Sequence, residues 1–223
     1  MLIAHRANNN HNFLENTKEA IIDCLTKDYI DGVEIDIRMT KDKEFVLIHN
    51  MLIDKSSNGT GFFKNKTLKE LKSYEFGSNQ KISTLEEILK IMNNKLLLIE
   101  IKVEKDNYEE VVNVFYKKIK KYLYLNIMVC SFNYELLKRI KKLNQKIKCG
   151  LIINLVINED KIYNHLDYNS LSIHKLDKAK DYDFIWTINN TNDLEKIIKT
   201  NKKLNIITDV SYKLYEKYKR AIM

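Results

Sequence analysis

Short apolar runs rich in Ile, Leu and Val alternate along the whole chain with stretches whose apolar positions recur every three to four residues. The runs predict strands at residues 2–4, 33–37, 97–101, 127–130, 149–152, 170–173, 184–187 and 205–208. The amphipathic stretches predict helices at 17–27, 84–93, 108–122, 134–143, 192–200 and 211–221. Strand and helix in turn is the pattern of a parallel sheet with crossover helices. Eight such units ending on a helix are the count of an α/β TIM barrel, (β/α)8. One domain over residues 1–223 is expected, since such barrels run to about 250 residues.

Two places break the alternation. A further strand at 44–48 follows 33–37 after only Met39-Thr40-Lys41-Asp42-Lys43, too few residues for a parallel crossover. It is therefore expected to fold back as an antiparallel hairpin. If its turn centres on Asp42-Lys43, position 49 lies opposite position 36. Residues 50–80 then form a small insertion with a turn at Asn58-Gly59-Thr60-Gly61 and a short helix near 67–73. The gap at 174–183 is too short for a full helix, so the barrel is trimmed there.

Composition narrows the class without naming a chemistry. With 44% hydrophobic and 30% charged residues the chain should bury a real core. Its longest apolar runs, 96–99 and 151–157, fall well short of the roughly 18 residues that cross a bilayer. His5-Arg6 follows the first strand too closely for a signal peptide, so the expected location is the cytoplasm. Cys24, Cys130 and Cys149 show no metal-ligand spacing and read as reduced core residues. The net charge of +8 comes almost entirely from lysines scattered over many segments, with no nucleic-acid-binding motif among them. Lysine-rich stretches at 117–121 and 138–148 read as solvated faces, and nucleic acid is not an expected partner.

Chemistry enters at the strand ends. Residues i and i+2 of a strand share a face, so Glu34 and Asp36 project together while Val33, Ile35 and Ile37 face the helices. Glu100 and Lys102 repeat the arrangement. The C-terminal strand ends are where this fold builds its sites. Three carboxylates aimed into one mouth repel unless a cation joins them, and such oxygens suit hard ions such as Mg²⁺ or Ca²⁺, with Mn²⁺ an alternative. His5 closes the first strand at the same mouth and His49 ends the hairpin's return arm. With Arg6 and Lys102 available for a phosphate, these residues make a kit for phosphodiester cleavage: a base, an acid, a Lewis acid and anion clamps.

The order His5-Arg6, Glu15-Asn16-Thr17 with Ala20, Gly32-Val33-Glu34-Ile35-Asp36, Thr40-Lys41-Asp42 and His49 resembles the glycerophosphodiester phosphodiesterases. The likeness continues through Asn58-Gly59-Thr60-Gly61, Thr67-Leu68-Lys69-Glu70-Leu71, Thr84-Leu85-Glu86-Glu87 and Glu100-Ile101-Lys102. It ends with Ser131-Phe132, Trp186-Thr187-Ile188-Asn189 and Thr208-Asp209. The resemblance implies a TIM barrel that uses a divalent cation to hydrolyse a small glycerophosphodiester to glycerol phosphate and an alcohol. It also implies roles. Glu34, Asp36 and Glu100 would hold the metal, and His5 and His49 would be the acid/base pair. Arg6 and Lys102 would hold the phosphate, Trp186 would line a glycerol pocket, and Glu15 or Asn16 would join the site rather than only cap a helix.

Four positions depart from the family pattern. Ala7 stands for a glycine, an inexpensive change only if its φ is negative; Asn50 stands for an aspartate, Lys55 for an arginine and Ser83 for a proline. None removes a proposed ligand or acid/base residue. His174 is a candidate extension of the pocket, and His11 and His165 read as surface residues. Two rival readings remain: a phospholipase D-like barrel acting on lysophospholipid or sphingolipid head groups, for which Phe62-Phe63 offers the greasy mouth, and a non-catalytic glycerophosphoryl-binding barrel. The leaving alcohol, the order of attack by water or by the substrate's own hydroxyl, and the oligomeric state are open at this level.

Overall fold

The computed structural model describes the chain apart from residues 10, 12, 78, 79, 105, 106, 155–165 and 223 and the side chains of 218–222. Its strands are β1 (Leu2–Ala4), β2 (Gly32–Met39), β3 (Phe45–Leu47), β4 (Leu96–Ile101), β5 (Ile127–Ser131), β6 (Lys148–Ile153), β7 (Tyr168–Ser172), β8 (Phe184–Trp186) and β9 (Asn205–Thr208). All but β3 run parallel and each pairs with the next. β1 pairs with both β9 and β2, which closes an eight-stranded barrel. The strands lie within about two residues of the runs that predict them, because in a parallel barrel those runs are buried on both faces.

The helices are α1 (Lys18–Leu25), α2 (Leu68–Ser73), α3 (Leu85–Leu89), α4 (Tyr108–Ile119), α5 (Tyr134–Leu143), α6 (Thr191–Lys199) and α7 (Ser211–Ile222). Side chains of Thr17, Thr67, Thr84, Asn133 and Asn190 cap the first turns of α1, α2, α3, α5 and α6 by accepting backbone N–H groups. α3 is half the expected length. Its buried face ends at Leu89, and the Asn93 side chain then accepts the Lys95 N–H in a turn that leads straight into β4. After β7 there is only a 3₁₀ turn, Ile173–Lys178, which is the expected trimming. Among the described residues no helix is long and apolar enough to cross a membrane.

Strand alternation divides the core into two layers. Val33, Ile35, Ile37, Leu97 and Ile99 point outward and pack on Ile21, Ile88, Phe115 and Leu136 of the helices. Ile3, Leu96, Leu98, Tyr168, Phe184 and Ile207 fill the barrel interior. Gly150 is required there: a Cβ at that position would lie 2.1 Å from the Tyr168 ring, whose hydroxyl crosses the interior to donate to Val129 O at 2.7 Å. Val46, Ile48, Ile53, Phe63, Leu71 and Phe76 form a separate small core beneath the insertion.

The hairpin forms as expected, but one residue out of the expected register. Ile37 pairs with Leu47, Arg38 with Val46 and Met39 with Phe45, so Ile48 rather than His49 falls opposite Asp36 and donates its N–H to Asp36 O at 3.1 Å. The turn is the cause. Thr40 and Glu44 bond across a three-residue loop in which Lys43 takes the left-handed conformation, φ 64°, so the turn centres on Asp42 alone. A slip of one residue would send His49 to the wrong face if the strand continued. It does not: the ladder ends at Leu47, and His49 reaches the mouth from the loop that follows.

Candidate active site

Register decides which side chains meet. Ala4 pairs with Val33 on one side and Thr208 on the other, so the next residue, His5, comes out between Glu34 and Asp209. Asp36 pairs with Glu100, and Glu100 with Cys130. Glu34, Asp36 and Glu100 turn inward at the C-terminal ends of their strands, with carboxylate oxygens within 4.8 Å of one another.

These acids are out of water, Glu34 4% and Asp36 1% exposed. Lys102 Nζ bridges two of them, 2.5 Å from Glu100 Oε1 and 3.1 Å from Asp36 Oδ1. Burial would raise the Asp36 pKa, but Lys102 and Arg6 hold it below the usual carboxylate range. Glu34, by contrast, is pushed up to about 8 by burial and by the charge of Asp36, and Glu100 is raised by the same two causes. Three converging carboxylates, two of which burial and the charge of Asp36 hold back from ionising, form a donor set that fits a hard divalent cation.

Arg6 is locked around this cluster. Its backbone N–H donates to Glu34 Oε2 at 2.8 Å and Nη1 to Glu15 Oε1 at 2.9 Å. Its Nε approaches Asp36 Oδ2 at 3.3 Å without the alignment of a hydrogen bond and has no hydrogen-bond partner among the described residues. Asn16 clasps Asp36 from the other side, Nδ2 donating to Oδ2 and Oδ1 accepting the Asp36 N–H, both at 2.9 Å. Arg6, Ala7 and Asn16 all have left-handed backbones, with φ 52°, 53° and 57°. At Ala7 the positive φ costs about 1–2 kcal/mol, which a glycine would avoid.

The two histidines face opposite pressures. His5 Nδ1 lies 2.8 Å from Asp209 Oδ1, and Asp209 Oδ2 accepts from Asn189 at 2.6 Å. Burial alone would lower the His5 pKa, but the Asp209 hydrogen bond and the charge of Glu34 outweigh it and raise it above the ordinary value. Burial lowers the His49 pKa, and Lys102 and Arg6 lower it further against the pull of Asp36. His49 is fixed through its backbone: Arg38 donates from Nε and Nη2 to His49 O at 3.1 and 2.9 Å, with its guanidinium 5.3 Å over the Phe63 ring.

His5, Arg6, Glu34, His49, Glu100 and Lys102 line one side of a pocket of about 150 Å³, and Cys130, Phe132, Ile152, Ser170, Trp186, Thr187 and Ile207 line the rest. A wider cleft of about 660 Å³ opens beside it and shares Glu100, Lys102 and Phe132.

Residues 5–206 match the model of the glycerophosphoryl diester phosphodiesterase family. The chain belongs to this family. As a glycerophosphodiester phosphodiesterase it is a phosphoric diester hydrolase that cleaves glycerophosphodiesters to glycerol phosphate and an alcohol. It is 28% identical to the glycerophosphodiester phosphodiesterase of Caldanaerobacter subterraneus over 94% of this chain and 93% of that one. An Oleispira antarctica phosphodiesterase solved in complex with the product sn-glycerol-3-phosphate superimposes with a TM-score of 0.84 at 22% identity, over 97% of this chain and 95% of that one. The Thermotoga maritima glycerophosphodiester phosphodiesterase gives 0.74 at 23% identity, over 97% of each chain.

Of the candidate residues of this phosphodiesterase, His5, Arg6, Glu34, His49, Glu100, Lys102 and Trp186 line the small pocket, while Glu15, Asn16 and Asp36 stand behind Arg6 and Lys102 and His174 is not part of it. Sequence reasoning gave no role to Asp209, although an acid closing the eighth barrel strand was a visible signal. It also passed over Arg38, which the alternation that selects Glu34 and Asp36 selects next. His174 is exposed on the turn after β7, and His11 is an exposed partner of Asn8. His165 lies outside the described residues. Phe63 is buried beneath Arg38, leaving Phe62 alone at the surface. Ser83 has its own use: its hydroxyl accepts the Lys18 N–H at 2.9 Å, a cap that a proline ring cannot supply.

Proposed function

We propose that the hydrolysis runs in the small pocket on one divalent cation held by Glu34, Asp36 and Glu100, Mg²⁺ or Ca²⁺ by the hardness of the donors, with Mn²⁺ an alternative. Bound there, the cation would neutralise the acids and polarise the phosphoryl oxygen. Arg6, oriented by Glu15, and Lys102 hold the non-bridging phosphate oxygens. His49, favoured neutral, takes the proton of the attacking hydroxyl. His5, favoured protonated and held by Asp209, gives a proton to the departing alkoxide. Trp186 covers the glycerol arm, and the leaving alcohol extends into the wide cleft past Phe132. The observation that carries this reading is the pair of histidines, pushed in opposite directions on either side of one acid cluster; groups driven apart in this way divide into acid and base. The Oleispira enzyme's bound product is of the class proposed here.

The same reading takes the whole chain as one barrel domain working in the cytoplasm, a location supported by three buried free thiols. Incubating the protein with a panel of glycerophosphodiesters, with and without a chelator, tests it. Glycerol phosphate plus one preferred alcohol should appear, vanish on chelation and return with added cation. Transient cyclic glycerol phosphate would report attack by the substrate's own hydroxyl. Tight binding of the diesters with no product would overturn the proposal in favour of a binding barrel.

A further inference from the structure

The rim of the barrel mouth carries exposed apolar side chains. Met51, Leu52, Phe62 and Phe132 are 44%, 39%, 46% and 44% exposed. They lie together. Leu52 and Phe62 face each other across an antiparallel bridge, Phe63 N–H donates to Met51 O, and Met51 and Phe132 line the same cleft. The segment that carries this tip is basic. Residues 51–66 carry Lys55, Lys64 and Lys66 against one acid, Asp54, whose carboxylate accepts the Gly61 N–H at 2.8 Å. Lys64 lays its ammonium 6.0 Å from the Phe62 ring centre and reaches Glu104 at 3.0 Å. A tip of four residues is too small for a stable protein interface, which needs roughly 800 Å² per partner. An apolar tip on a segment with net positive charge matches shallow entry into a lipid surface with anionic head groups.

We propose that this rim docks the mouth of the barrel onto an anionic lipid surface, with Leu52 and Phe62 entering the head-group boundary, Lys64 beside Phe62 lying against the head groups, and Lys55 and Lys66 adding to the positive charge of the segment. The docking is a binding activity beyond hydrolysis and does not depend on which diester is cleaved. It would turn the active site toward the surface from which deacylated lipid diesters are released.

Co-sedimentation with vesicles of phosphatidylcholine alone, or mixed with phosphatidylglycerol, tests the proposal. The protein should pellet with the anionic vesicles, weakly or not at all with the neutral ones, and release as salt rises. Leu52→Ser with Phe62→Ser should weaken binding about ten-fold or more, the effect of removing two partly buried apolar anchors. Turnover of a water-soluble glycerophosphodiester should stay unchanged, since these two side chains line neither the pocket nor the cleft. Phe62→Trp should keep binding and place a fluorophore within reach of brominated lipid. Failure to bind anionic vesicles at low salt, salt-independent binding, or equal binding by the double variant would overturn the proposal. So would light scattering that shows Leu52 and Phe62 joining two copies of the chain without vesicle binding.

Discussion

The two walls of the barrel mouth are built on the same ladder and carry opposite chemistry. Strands β1, β2 and β4 present His5, Arg6, Glu34, Asp36, Glu100 and Lys102, tied by contacts of 2.5–3.3 Å and supported by three left-handed residues. Strands β5 to β9 present Cys130, Ile152, Ser170, Trp186 and Ile207 to the same pocket, a surface that asks for no counter-charge. The apolar wall follows the ordinary rule for a barrel interior. The charged wall breaks it, with left-handed backbone at Arg6, Ala7 and Asn16 and with the shifted acids and histidines gathered around Asp36. Under the proposed function, the division would place the ionic part of a phosphodiester on one side and its organic arm on the other.

Breaking the charged wall should have the larger effect. Alanine at His49 or His5 should each lower kcat by about 10²–10⁴, and the double variant by less than the product, because acid and base act as one unit. Steady-state kinetics on the preferred diester decide this; a His49→Ala enzyme of normal kcat would remove His49 from the mechanism. The apolar wall should respond differently. Trp186→Ala should raise KM about ten-fold with kcat nearly kept, the signature of lost ground-state binding. A fall in kcat with KM unchanged would place Trp186 on the other side of the comparison.

A smaller change sharpens the division within the charged wall. Asp209→Asn keeps a hydrogen-bond acceptor beside His5 but removes the charge that raises its pKa. The alkaline limb of the pH–rate profile reports loss of the proton from the acid, so it should move down by about one unit, the usual effect of losing an adjacent opposite charge, while the acidic limb set by His49 stays in place. Movement of the acidic limb instead would exchange the two roles.

The contrast between the walls also explains what could be read from the chain. Glu34, Asp36, Glu100 and Lys102 were legible because charge at alternate positions of a buried strand has no structural excuse. On the opposite wall Ile152 and Ser170 look like any interior residues, and nothing local marks them as pocket lining. His49 was found for a partly wrong reason: its place depends on a left-handed Lys43 and on where β3 stops, neither of which the apolar pattern records. Asn16's grip on Asp36 joins residues twenty apart through side chains, which periodicity does not encode. Ala7 could be judged only once its φ was known.

That Glu34, Asp36 and Glu100 share one cation can be decided by thermal unfolding of chelator-treated protein at pH 5 and pH 8, with and without added Mg²⁺, Ca²⁺ or Mn²⁺. Glu34 in the folded chain is pushed up to about 8, above its unfolded value, so folding without a cation retains a proton and stability should fall as pH rises from about 5 to 8. A cation that replaces that proton should restore most at pH 8. At a hundred times its Kd it supplies about 2.7 kcal/mol, or about 5–10 °C in Tm for a chain of this length. Glu34→Gln should flatten the pH dependence and abolish most of the cation shift. No cation-dependent shift at pH 8, or a full shift in Glu34→Gln, would contradict the claim.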